Sequence, residues 1–462
     1  MMRYFPTAVL VLLLAVSGCT WPDPDRDEVT HAEAGSFVLP DSVLFWEHVA
    51  PVAAVRCTPC HRENGAGPFP LRAYADFKKR LKTVRAVVAD DYMPPWPADP
   101  TYSRFKDEKF LTPREKALFM KWFDAEGPEG HAPAGGLIDL EEAEIPEPDM
   151  RLLFPDTVHI RGSMRDRFYL AKIGFELPQD TVLAAVGFAP GNRQAVHHVN
   201  GHLINYNPRL KNDPGDGSWI ENAETRTSLS AYEDMRISHD DGSYPPMRVS
   251  AFNYLPGTEP VRYPEGIGTV HISRKGAFLL NTLHYGPAPK DTFDLSEIHL
   301  WFAAEKPERP LLELHLGTQG ETPVEPEFVI PAGEVKTFTT RYRTKEDISV
   351  LTVNPHMHLL GKSFKAYAAS PDRRDTIPLV RIPEWDFRWQ YFYTFRKMLK
   401  IPKGYEIIAV AEFDNTFDNP FNPNTPPKTM RAAGRNMKTT DEMFQFFVNF
   451  VPYRAGDENI RL

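Results

Sequence analysis

Proline falls 44 times among the 462 residues, about twice the usual share of ~5%. Each proline fixes φ and removes an amide donor, which excludes long helices over most of the chain. What lies between the prolines leans to β. Runs such as Thr181-Val182-Leu183-Ala184-Ala185-Val186 and Glu406-Ile407-Ile408-Ala409-Val410-Ala411 recur between clusters of Pro, Gly, Asn and Asp, the pattern of short strands with frequent turns. Beyond residue 150 the chain is too long for one sandwich of ordinary size, so two mainly antiparallel β-sandwich domains are expected, 151–308 and 309–462. Helical signals come earlier, over 41–56, 71–89 and 113–126. The last is the best marked: Thr112-Pro113-Arg114-Glu115 is a capping box with proline at the first helical position, and Gly127-Pro128 stops it. The expected fold class is therefore multidomain, a small all-α domain at 41–127 followed by the two sandwiches. Residues 128–150, rich in Gly, Pro and acidic side chains and including the run Glu141-Glu142-Ala143-Glu144, read as a solvated linker that lets the helical unit stand apart.

The formal net charge of −9 argues against nucleic acid as a partner, which favours a basic surface. At the N-terminus, Met1-Met2-Arg3 precedes an apolar run from Ala8 to Val16, a secretory signal over 1–18 that is too short to span a bilayer. Val16-Ser17-Gly18-Cys19 resembles a bacterial lipobox, in which Cys19 is lipidated and leads the mature chain. Thr20 in the next position resembles sorting to the outer membrane. The polar, acidic stretch Asp23 to Gly35 then reads as a tether within 19–40. The expected location is the bacterial periplasm, anchored by lipid.

Three cysteines exist, Cys19, Cys57 and Cys60, and with Cys19 given to lipid no disulfide framework remains. Cys57-Thr58-Pro59-Cys60-His61 is the attachment signature of c-type haem: two thioethers fix the porphyrin and His61 ligates iron. A redox dithiol is the alternative. The second axial ligand is expected from Met93 in Met93-Pro94-Pro95-Trp96-Pro97, where three prolines stiffen the loop and Trp96 can pack on the haem edge. A plain core methionine is the alternative there. Over 41–127 the chain resembles a small class I cytochrome c.

The histidines supply further ligands. In Pro355-His356-Met357-His358 the two imidazoles are two residues apart in a β-leaning run and share a strand face. Imidazole pairs suit copper, zinc, iron or nickel. Met357 points to the opposite face, toward a core. His197 and His198 are adjacent, so both reach one ion only at a strand end or bulge, or through different ring nitrogens. His284, on a neighbouring strand, completes a three-imidazole set, and His202 shares the His198 face in a supporting or structural role. Met443, in Asp441-Glu442-Met443-Phe444, closes the site begun by His356 and His358. Two imidazoles and a thioether favour cuprous copper, whereas zinc favours Cys, His or carboxylate. The alternative is scattered histidines and a packing methionine.

In order and spacing, His197-His198, His284-Tyr285-Gly286, His356-Met357-His358 and Asp441-Glu442-Met443 resemble the copper type II, ascorbate-dependent monooxygenases, the family of peptidylglycine α-hydroxylating and dopamine β-monooxygenases, over about 151–462. The resemblance implies jelly-roll-like sandwiches with one copper on each, facing across a cleft. It implies that His197, His198 and His284 hold an electron-transfer copper, and that His356, His358 and Met443 hold the copper that binds O2 and hydroxylates a C–H bond. Peptide-amidating members hold a peptide carboxylate with Arg, Asn and Tyr where this chain has Asn354, Gln445 and Phe447, so an apolar or aromatic small molecule is the better expected substrate. Two copper ions and one covalent haem are the expected cofactors, with the tethered haem in place of ascorbate, fed by an unidentified donor. The rival expectation is a non-enzymatic electron-transfer or copper-handling lipoprotein with the same ligands.

Overall fold

Alternation along two neighbouring strands positions everything that follows. In the strand Phe444–Pro452, the residues Phe444, Phe446, Val448 and Phe450 face a core, so Gln445 and Phe447 between them face the other way, into a cavity. Its antiparallel partner Ile348–Met357 starts with Ile348 and Val350 in that core, then shifts register between Val350 and Thr352. The extra residue reverses the parity. Val353 and Met357 take over the core positions, while Asn354 and His356 turn to the cavity.

The computed structural model describes residues 37–138, 145–303, 309–432 and 440–462. Residues Pro40–Leu462 form one compact unit. The signal 1–18, Cys19, nearly all of the tether and part of the linker lie outside the described residues.

Six sheets of two to five strands are found among the described residues. One five-stranded sheet runs in the order Ile220–Asn222, Arg167–Glu176, Lys275–Tyr285, Val196–Asn205, Met247–Tyr254. It shares a core with the sheet built around Thr181–Ala189 and Glu297–Phe302 through Ile173, Val199, Leu203, Phe188 and Leu300. A four-stranded sheet, Leu312–Gly317, Phe444–Pro452, Ile348–Met357, Tyr393–Ile401, shares a second core with the sheet that pairs Val335–Arg343, Glu406–Asp414 and Gly361–Ala369.

The expectation of a small all-α cytochrome domain ahead of two β-sandwich domains is corrected by this architecture. Among the described residues the protein is mostly β, 37% strand against 12% helix, with no distinct all-α domain. Helices α1 (Ala50–Arg56), α2 (Tyr74–Lys79), α3 (Leu81–Ala89) and α4 (Pro113–Asp124) are short. The capping box at Thr112 and Glu115 does open α4, and Trp122 of that helix packs in a ring cluster with Phe45 and Phe77. The segment nevertheless does not stand apart. Phe105, 1% exposed, and Ala98 belong to the same core as the later sheets. Phe105 forms an isolated antiparallel bridge with Phe395, Lys106 N–H donates to Thr394 O at 2.8 Å, and Glu108 pairs with both Arg104 and Arg396. A Pro- and Gly-rich connection suggested independence; the apolar side chains at 96–105 decide otherwise, because they reach burial only against the β strands.

Candidate metal centres around one cavity

The first imidazole set is made by a bulge. In the pairing of Val196–Asn205 with Lys275–Tyr285, Val196 lies opposite Tyr285 and His198 opposite His284, which leaves His197 as the extra residue. A bulged residue re-aims its side chain, and this lets two adjacent histidines serve one point. The available ring nitrogens of His197, His198 and His284 lie within 4.8 Å of one another. His198 Nδ1 is 3.1 Å from His284 Nδ1 and 3.5 Å from His197 Nδ1. Three nitrogens bound at about 2.0–2.1 Å to one tetrahedral ion would be separated by about 3.3 Å, so this donor set fits a metal. The other nitrogen of His284, Nε2, is 2.7 Å from Asp166 Oδ1, and Phe168 stacks on the ring at 4.3 Å. A carboxylate on the far nitrogen fixes the tautomer and leaves the near nitrogen as donor. That hydrogen bond holds the Asp166 carboxyl below its usual range. Burial lowers His197 to about 4, with the neighbouring His284 adding to it, and burial lowers His198 further. Both rings are neutral at pH 7, the form that ligates.

The second set is made by strand alternation. His356 Nε2 and His358 Nε2 are 3.2 Å apart, again the edge of a coordination shell. Their outer nitrogens are both occupied: His356 Nδ1 is 2.5 Å from Gln390 Oε1, and His358 Nδ1 is 2.9 Å from Asp441 O. Burial, then the neighbouring His358, lowers His356 to about 3. The ladder ends where Met357 lies opposite Phe444, and Met443, 3% exposed, directly precedes that pair. Glu442 ties His358 and Met443 together. Its Oε1 accepts the amides of His358 at 2.6 Å and Met443 at 2.9 Å, and its Oε2 accepts that of Leu360 at 2.9 Å. Burial pushes the Glu442 carboxyl up to about 8 against these three donors.

Both sets open on one cavity of about 420 Å³, lined by His198 on one wall and by His356 and His358 on the other. Phe387 stands between them, its ring centroid 5.7 Å from those of His198 and of His358. His202 and His315 line the same cavity. On its outer side His197 meets Trp389 at 5.7 Å; Trp389 stacks on Tyr391 at 6.2 Å with an interplanar angle of 11°; Tyr391 meets Trp96 at 5.1 Å and donates its hydroxyl to Pro95 O. An aromatic contact thus runs from the loop after Met93 to the first imidazole set.

At the Cys57-Thr58-Pro59-Cys60-His61 turn, which follows α1 directly, His61 Nδ1 is 3.0 Å from Phe69 O. This assigns the proton to Nδ1 and leaves Nε2 as the ligand, as an axial histidine needs. Burial pushes the Cys57 thiol up to about 12 and raises Cys60. Met93 lies past α3 with its amide on Val87 O, and among the described residues no hydrogen bond or ring contact joins it to His61. Trp96 packs on Tyr391, Tyr393 and Phe105.

Asp166, Gln390, Glu442, Phe387 and Trp389 were not singled out from the sequence. Only Glu442 carried a signal, a lone acid beside Met443 at the head of an apolar run. Asp166 lies 118 residues from His284, and nothing local marks it.

No family model matches the chain, and no curated protein matches it. Among solved structures it is similar to the VP2 subviral particle of infectious bursal disease virus, with 9% identity over 69% of this chain and 75% of that one at a TM-score of 0.19. The same virus's Gx strain structure gives 9%, 69%, 76% and 0.18. Likeness at that level carries no argument about fold or function.

Proposed function

We propose that this protein is a copper-dependent monooxygenase that hydroxylates a C–H bond of a small organic molecule with O2, drawing electrons through a c-type haem on Cys57, Cys60 and His61. The observation that carries the reading is the pair of imidazole sets, each with nitrogens spaced for a metal, opening on a single cavity around Phe387. Copper in both sets and haem at the Cys57–His61 turn, when bound, supply O2 reduction and the two electrons of R–H + O2 + 2e− + 2H+ → R–OH + H2O.

The chain's own residues account for the rest. His197, His198 and His284 form an all-nitrogen set steadied by Asp166. His356, His358 and Met443 add a soft sulfur, which favours the cuprous state. Gln390 and the Asp441 carbonyl hold the two rings with Nε2 facing inward. Phe387 and Phe447 line the chamber with apolar surface, which excludes water from the reacting C–H bond. Trp389 and Tyr391 offer an electron a continuous ring contact from the haem-bearing segment to His197. A protein that only carried electrons or copper has no use for an organic-sized cavity between its metal sites, and this favours the enzyme. Export and lipidation at Cys19 place it in the periplasm beside its electron donor.

The test is a single turnover. Dithionite-reduced protein exposed to O2 and candidate substrates is expected to form hydroxylated product. Met443→Ala should abolish product while the haem spectrum persists. Turnover that survives Met443→Ala would overturn the assignment.

A further inference from the structure

The chain's own side chains give the walls of the cavity no formal charge. Among the described residues that line it there is no Asp, Glu, Lys or Arg. Its volume of about 420 Å³ lies within the range of roughly 300–1,000 Å³ typical of small-molecule sites. The polar groups on its walls are neutral amides and imidazoles, and several are oriented by the backbone. Asn253 Nδ2 donates to Gln390 O at 2.7 Å, Asn354 Nδ2 to Tyr391 O at 2.9 Å and Gln445 Nε2 to Thr318 O at 2.8 Å. One N–H of each amide is spent on a carbonyl, which fixes the amide plane and leaves its oxygen and second N–H facing a ligand. Farther in, His202 Nδ1 contacts Met247 Sδ at 3.4 Å. His315, stacked on Phe447 at 4.4 Å, has a buried Nε2 with no hydrogen-bond partner. A buried polar atom left without a partner is costly, and such atoms in a cavity mark where a ligand supplies the missing group.

We infer that the cavity takes a molecule without a cationic group, with an apolar body and hydroxyl or amide groups. This rests on the monooxygenase reading and names the class of its substrate. Amides pinned on both walls offer such a ligand acceptor oxygens and N–H donors. An ammonium entering this chamber loses its hydration and meets no anion from the chain. Leu229 and Tyr244, 40% and 60% exposed, also line the cavity and give such a molecule an apolar entrance.

Isothermal titration of the full chain, with its metals as purified, against two probes that share a phenol ring tests this: 2-(4-hydroxyphenyl)ethanol and 2-(4-hydroxyphenyl)ethylamine, both at pH 7. The neutral alcohol is expected to bind roughly tenfold or more tighter than the ammonium, the least that an uncompensated buried charge should cost. Asn200→Asp, which sets a carboxylate on the wall in nearly the same shape, should reverse the order. An amine that binds the unaltered protein as tightly as the alcohol, or no binding by either probe, overturns the inference. Binding is read without turnover, so a preference for the alcohol with no hydroxylated product would sink the enzyme reading and leave the cavity assignment standing.

Discussion

Glu442 is the residue whose removal should do most to the second imidazole set without touching a ligand. Its two oxygens satisfy three buried amides, those of His358, Met443 and Leu360, and these residues are 5%, 3% and 1% exposed. A buried donor deprived of its acceptor costs about 1–3 kcal/mol. Glu442→Ala therefore costs roughly 3–9 kcal/mol in sum, with the lower half expected because the start of the strand Phe444–Pro452 can open locally to water. Glu442→Gln is milder. Its amide oxygen can keep the His358 and Met443 donors, but its NH2 faces the Leu360 amide, one lost bond and one donor–donor conflict, for roughly 1–3 kcal/mol. Urea unfolding followed by fluorescence gives the order, wild type above Gln above Ala. Metal analysis on the same samples should show copper falling from two per chain toward one in the Ala variant, with the His197 set still loaded. An Ala variant within about 1 kcal/mol of wild type, or one with both coppers in place, would refute the reasoning that Glu442 holds His358 and Met443 in register.

Other outcomes follow from the same geometry. Asp457, 2% exposed, receives two bonds from Arg309, at 2.7 and 2.5 Å, and one from the Ser349 hydroxyl. Burial alone would raise its carboxyl, yet these partners lower it from 3.8 to about 2. Together, and net of burial, the bonds from Arg309, the Ser349 hydroxyl and the Arg454 amide thus contribute about 2 kcal/mol that is present above pH 4 and lost as pH falls through about 2; acid unfolding of Asp457→Asn should lack that step. Trp389→Leu interrupts the ring contact between Tyr391 and His197, and rapid-mixing absorbance should show slower electron delivery to the first metal set, with Trp389→Phe close to wild type. Thr112→Ala removes the cap of α4 and should cost about 1 kcal/mol in thermal unfolding, with metal content unchanged.

Local signals in the sequence were reliable where local forces decide. Thr112 and Glu115 open a helix because both partners of the capping box lie within one turn. Thr181–Ala189 and Glu406–Asp414 are strands because β-branched and apolar residues run between turn formers. The spacing of His356 and His358 placed both on one face for the same reason. What could not be read was set by distant packing. The Gly- and Pro-rich residues after 127 suggested a free helical domain, but Phe105 and Trp96 find their burial against Tyr391, Tyr393 and Phe395, nearly three hundred residues on. Two register shifts carry the sites: His197 is the extra residue of one, and the shift after Val350 turns His356 outward. A bulge depends on the partner strand, so neither was visible in its own strand alone. Asp166 and Gln390 act only once the sheets have formed.

Copper counted per chain, beside a pyridine haemochrome spectrum, tests the central claim most directly. Wild type is expected to hold two coppers and one haem, and His284→Ala and Met443→Ala one copper each with the haem retained. Protein that binds no copper, or two coppers that persist in both variants, would contradict the account.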